Sequence, residues 1–227
     1  MRNGKLLGSI ALLLIAGVTL AQPTDSLTTS LSAKPEPLIP VEVFAAGKGV
    51  NFQCILSKRF APECRFGFLN ITTFFGSYQN DKSTNEYISQ SFLTAYVGNG
   101  ISVNAGLSVN HYSGFRPTAR LKYVFATKSS LVLLLPRVDL TETHNLETFG
   151  LIEYKPKLTK QWGLYTRLQA LLNYNTKQNI HERSHAYLRV GASYRHSQLG
   201  VGANVDGYGS ERVTDTTFGG FLRVEIF

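Results

Sequence analysis

The segment His181-Glu-Arg-Ser-His185 has the form H-E-x-x-H. On a helix, residues four apart share a face, so both imidazoles meet one metal and the glutamate serves as general base. Here the segment closes a polar stretch and leads straight into alternating residues 186–195. No apolar helical face surrounds it and no third ligand is evident. In an extended strand the two imidazoles stand about 13 Å apart. The match is therefore read as coincidence, and neither a metal site nor a cofactor is expected. Ser–His neighbours are the second candidate: His111 with Ser108 or Ser113, and His185 with Ser184. An imidazole that takes a serine proton makes an acyl-transfer nucleophile. Five histidines among many serines produce such neighbours by chance, so no catalytic set is assigned. A hydrolase or acyltransferase acting on lipid at a rim is the alternative reading.

The most informative polar residues are charges placed by phase on the hydrophilic faces of alternating segments. They are Arg120, Lys122, Arg137, Arg167, Arg189, Arg195 and Arg223, against Asp139, Glu147, Glu153, Asp206 and Glu225. If those faces line a lumen, the charges either border a water-filled path that selects ions and small solutes or pair across it and close it. The preference is slightly for a passage, and the excess of arginine over acid favours anionic solutes.

The elements that must hold these charges are strands. Ile101, Val103, Ala105, Leu107 and Val109 alternate with Ser102, Asn104, Gly106, Ser108 and Asn110. Leu164, Leu168, Ala170 and Leu172 lie opposite Tyr165, Arg167 and Gln169, and Leu188, Val190 and Ala192 opposite Arg189, Gly191 and Ser193. Successive strand residues point to opposite faces, so each segment has one oily and one polar side. A soluble sandwich buries the oily side between sheets; a membrane barrel turns it to lipid. Segments of about ten residues suit a tilted bilayer crossing. Short links at 98–100, 127–130, 156–160 and 196–198 alternate with longer ones at 77–85, 111–117, 140–145, 173–184 and 207–216, as in barrels with short periplasmic turns and long outer loops. Counting gives about eleven strands from Val50 onward. A further strand around Val41, joined by Gly47-Lys48-Gly49, makes twelve, with ten as the alternative.

The organisation follows. Arg2 and Lys5, the apolar run 6–20 and the small Thr19 and Ala21 read as a cleavable signal peptide over 1–21. A polar leader is expected over 22–37 and the barrel over 38–227. Export argues against nucleic acid as the partner of this chain, whose formal charge is +8 with scattered basic residues. Tyr78, Tyr87, Tyr96, Tyr112, Phe115, Tyr154, Trp162, Tyr174 and Tyr208 fall near strand ends, where interfacial girdles form. Cys54 and Cys64 flank a turn and are read either as a bridge or as two unpaired thiols.

The signal peptide, the repeated hairpins and the last segment, Phe218-Gly-Gly-Phe-Leu-Arg-Val-Glu-Ile-Phe227, resemble the small outer-membrane β-barrel proteins of Gram-negative bacteria. One departure is that Leu222, Val224 and Ile226 lie opposite Phe227 in phase. The resemblance implies an all-β, antiparallel up-and-down barrel in the cell outer membrane. It implies contact with outer-membrane lipid and lipopolysaccharide, and recognition of the terminal strand by the barrel-assembly machinery. The expected function is non-enzymatic: a small passive channel for ions or anionic solutes, or a structural barrel.

Overall fold

The structure, a computed structural model, describes residues 37–79, 84–211 and 213–227. The signal peptide and all but the last residue of the leader lie outside the described residues. The twelve strands are β1 (Ile39–Ala46), β2 (Gly49–Arg59), β3 (Phe66–Ser77), β4 (Glu86–Gly98), β5 (Ile101–Asn110), β6 (Gly114–Ala126), β7 (Ser130–Asp139), β8 (Asn145–Tyr154), β9 (Trp162–Asn175), β10 (Ile180–Tyr194), β11 (Ser197–Tyr208) and β12 (Val213–Ile226). Each pairs antiparallel with its sequence neighbours, and β1 pairs with β12, so the sheet closes into a barrel. The twelve-strand expectation holds, and closure excludes the sandwich.

Alternation decides which residues go where. Leu164, Leu168, Leu172, Leu188, Val190, Leu199 and Val201 are exposed on the outer face. Their strand neighbours Tyr165, Arg167, Gln169, Arg189 and Gln198 are buried inside. A continuous outer face of exposed Leu, Val, Ile and Phe is far larger than the apolar patches soluble monomers carry, and it fits lipid. Tyr78, Tyr87, Tyr112 and Phe115 are exposed near one end and Tyr154 and Trp162 near the other. Tyr96 and Tyr208 depart from the girdle expectation. They turn inward, Tyr96 beneath the Arg59 guanidinium and Tyr208 beneath that of Arg183.

One outward stretch is polar. On β3 and β4, Asn70 donates to the Ser91 hydroxyl at 2.9 Å, Thr72 donates to Asn70 Oδ1 at 2.9 Å, and Thr72 meets Ser89 at 3.1 Å. The groups satisfy one another, which removes most of the penalty for polar atoms in an apolar setting. Their presence explains why alternation is irregular in this part of the sequence.

The strict alternation of short and long links does not hold. At the end where β1 begins and β12 ends (the terminal end) the links are 60–65, 99–100, 127–129, 155–161 and 195–196; at the other end (the mouth) they are 47–48, 78–85, 111–113, 140–144, 176–179 and 209–212. Polar composition does not stop a hairpin from zipping. Ile180 pairs with Asn175 and His181 with Tyr174, inside what the composition marks as a loop.

Cys54 and Cys64 are both unpaired. Cys54 shares the outward phase of its partner Val41, whereas Cys64 sits in the 60–65 link with its sulfur accepting the Phe66 amide at 3.4 Å. A water-soluble maleimide applied to the folded, detergent-solubilised barrel is expected to label Cys64 and leave Cys54 until denaturation. Mass spectrometry checks this, and early labelling of Cys54 contradicts the placement.

Candidate functional site: a charged cavity within the barrel

Eleven of the twelve charged residues assigned by phase to polar faces lie inside the barrel. Arg120, Lys122, Arg137, Asp139, Glu147, Glu153, Arg167, Arg189 and Arg223 are buried, and Asp206 and Glu225 are partly so. Arg195 is the correction. It occupies the two-residue turn between β10 and β11 with φ 51°, a left-handed conformation that takes its side chain out of the strand phase. Its guanidinium lies 5.4 Å from the Tyr194 ring, at the surface.

The inward charges form four groups, the fourth being Arg183 between Glu86 and Asp206. In the first, Glu42 on β1 accepts from Arg167 on β9 at 2.6 Å and from Arg189 on β10 at 2.9 Å, both through Oε1. Arg189 also donates to Asn204 Oδ1 at 2.7 Å and lies 3.9 Å from the Phe44 ring. In the second, Arg137 donates to Glu147 at 3.0 Å, and Arg120 donates to Gln90 Oε1 at 2.5 Å and stands 3.7 Å from Glu147. Asp139 joins them, 3.4 Å from Arg137 and accepting from Arg116 at 3.2 Å. The third lies towards the terminal end: Arg223 stands 3.1 Å from both Glu153 and Glu225, and Glu225 also accepts from Lys155 at 2.6 Å. Lys122 donates separately to Ser57 at 2.9 Å.

Three acids in these networks escaped the sequence reading: Glu42, Glu86 and Glu182. Glu86 on β4 accepts from Arg183 at 2.7 Å, and Glu182 accepts from Asn145 and Asn175 at 2.6 and 3.1 Å. Three bases escaped with them, Arg116, Lys155 and Arg183, so the two signs stay close to balance. Glu42 carried a usable signal, since it alternates with Val41 and Val43 in a segment already read as a strand. Glu86 and Glu182 stand beside polar stretches and carried none.

The interior divides along the axis. Towards the mouth is a cavity of about 500 Å³, lined among others by Glu86, Tyr112, Arg183, Tyr187, Glu147 and Arg120. At Tyr112, in the 111–113 turn, burial and then the Glu86 carboxylate push the phenol pKa up. Towards the terminal end the lumen is filled. Leu69, Ile71 and Phe92 from β3 and β4 meet Leu135, Phe149 and Leu151 from β7 and β8 in one apolar cluster. Phe44, Tyr165 and Phe221 form a second. Leu135, Phe44 and Tyr165 are 0% exposed and Arg223 is 4% exposed, so these side chains pack closely on their neighbours.

His181 and His185 both lie on β10, with a register irregularity between His181 and Arg183. The His181 ring meets the Gly209 carbonyl at 2.7 Å; that of His185 stacks on Tyr187 and meets Gln169 at 3.2 Å. The Ser–His neighbours are not brought together. Ser184 and His185 fall on opposite faces of β10. Ser108 is buried, while His111 stands in a turn against Tyr87 and Tyr112. The Ser113 hydroxyl donates to Asn110 at 2.8 Å.

No family model matches this chain, and no curated protein matches it. Among solved structures it is similar to the KdgM porin, with 14% identity over 83% of this chain and 99% of that one and a TM-score of 0.46. It is similar to the NanC porin, with 9% identity, the same two coverages and a TM-score of 0.44. It is similar also to outer-membrane expressed OmpT of Vibrio cholerae, with 10% identity over 77% of this chain and 64% of that one and a TM-score of 0.38. Likenesses at this level carry no argument about what the barrel does. Its closed antiparallel architecture is that of a small outer-membrane β-barrel protein.

Proposed function

We propose that the chain is a non-enzymatic outer-membrane barrel whose resting lumen is closed, with a polar cavity open at the mouth and the mouth facing the cell exterior. The observation that supports closure is the burial of mutually paired charges together with apolar side chains across the terminal half. An open pore of this strand number would keep its inner charges wet, as the interior of twelve strands is wider than one that side chains fill unaided. Here Glu42 on β1 reaches two arginines on β9 and β10, neither of which pairs with β1, which draws the walls' side chains together. The outward apolar band supports insertion into lipid. The orientation rests on β12 and β1 ending together at one end, the arrangement of exported barrels with both termini in the periplasm.

The experiment is liposome swelling with the mature protein refolded into vesicles, preceded by extraction of native membranes. Release by detergent but not by salt or alkaline carbonate is expected. Swelling rates in small uncharged sugars are expected to equal those of protein-free vesicles. Release by salt alone removes the membrane assignment, and rapid sugar entry removes closure.

A further inference from the structure

The cavity's charges are sorted by depth. Its floor carries Arg120, Arg137, Arg167 and Arg189 against only Glu42 and Glu147. Its rim carries Glu86 and Glu182, with Asp206 beside them, against Arg183 and Arg116. Asp139 stands between the two levels, 3.2 Å from Arg116 and 3.4 Å from Arg137, so the floor is net cationic and the rim net anionic, by one charge each when Asp139 is counted with the floor. At the floor, Arg120 Nε and Nη1, Arg137 Nη1 and Arg167 Nε have no hydrogen-bond partner, against two unpartnered carboxylate oxygens, Glu42 Oε2 and Asp139 Oδ1; the three arginine side chains are 1%, 3% and 3% exposed. Buried guanidinium N–H groups left unpaired are costly, and an anionic group seated on the floor would satisfy them. At the rim the faces of Tyr187 and Tyr208 are already covered by His185 and Arg183, so the groups left to meet an ammonium are the carboxylates Glu86 and Asp206, which Arg183 bridges.

A simple anion must cross an acidic rim to reach the floor, and a simple cation is repelled by the floor. We propose that the cavity is a binding site for a small elongated zwitterion, with its carboxylate on the cross-strand Arg120–Arg137 pair of the floor and its ammonium at the Glu86–Asp206 rim. Glu86 lies four residues from Gln90, the floor partner of Arg120, which is about 13 Å along the strand and about 10 Å along the axis of a strand tilted as barrels require. An extended tripeptide separates its terminal charges by about 10 Å, and a cavity of about 500 Å³ accommodates one. Short peptides with free termini are the ligand class that fits. This goes beyond the closed-barrel reading and rests on it for the cavity's floor.

The test is calorimetric titration of the mature, refolded barrel in detergent with tri-alanine, its N-acetyl form and its C-terminal amide. Folding is verified for every sample by the heat-dependent gel shift of a closed barrel. Binding of tri-alanine is expected, with each blocked form at least tenfold weaker. Glu86→Gln is expected to weaken tri-alanine about tenfold and to leave the N-acetyl form within about twofold. An N-acetyl form that binds as well as the free peptide makes the cavity an anion site and overturns the proposal. An amide that binds as well makes it a cation site, with the same consequence. Absence of heat at about 50 mM tri-alanine with a folded barrel overturns it too, as does a Glu86→Gln effect equal for free and acetylated peptide. None of these outcomes touches closure, which swelling reports separately.

Discussion

Glu42→Ala is expected to lower the barrel's unfolding free energy by roughly 3–5 kcal/mol, among the largest effects of any single substitution in the chain. Glu42 Oε1 is the shared acceptor of Arg167 and Arg189, and all three residues are buried. Removing the carboxylate leaves two guanidinium ions facing each other away from water. Their repulsion and lost hydrogen bonds both act against the fold. Chemical denaturation of the refolded barrel, followed through the heat-dependent gel shift, measures the change. The companion variant is Glu42→Leu with Arg167→Met and Arg189→Leu. Removing every charge of the triad at similar volume is expected to recover most of the loss, since buried ion pairs compare poorly with well-packed apolar groups. A loss under about 1 kcal/mol in Glu42→Ala contradicts the triad.

Leu69→Ser, Leu135→Ser and Leu151→Ser combined are expected to turn a silent barrel into a conducting one. The three leucines belong to the apolar cluster that joins β3 and β4 to β7 and β8 across the interior and are 1%, 0% and 4% exposed. Each substitution deletes buried volume and offers a hydroxyl to water, so the emptied space hydrates rather than remaining dry. Large-to-small changes at such sites cost about 2–5 kcal/mol each, and the strand ladder must carry that loss, so the gel shift has to confirm closure first. Frequent current steps in a planar bilayer from the folded triple variant are the expected reading. Continued silence from a folded triple variant places the barrier elsewhere, at the Arg223–Glu153 group.

The strand count and the phase of most inner residues were legible because the amphipathic strands β5 and β9–β11 follow period two closely. The signal that fixed Arg167 and Arg189 inside is the oily run on the other side of the same strands. The apolar filling was not read off, for a physical reason. β7 reads SLVLLLPRVD and β8 NLETFGLIEY, apolar on both faces, so period two is silent there. The information was nevertheless present at one remove. Counting back by twos from Arg137 lands on Leu135, Leu133 and Leu131, and forward from Glu147 on Phe149 and Leu151. Inner charge and inner apolar filling share one phase, and only the charges announce it. Glu86 and Glu182 failed differently, because strands extend into polar stretches that composition marks as loops. Arg195 was lost to a turn that spends one residue of the phase in a left-handed conformation.

The most direct test of closure is single-channel recording from the mature wild-type protein refolded in a planar bilayer, at moderate voltage and neutral pH. The expected result is a flat trace from a preparation whose gel shift shows a folded barrel. Sustained, discrete openings from that same folded wild-type preparation would contradict the closed lumen.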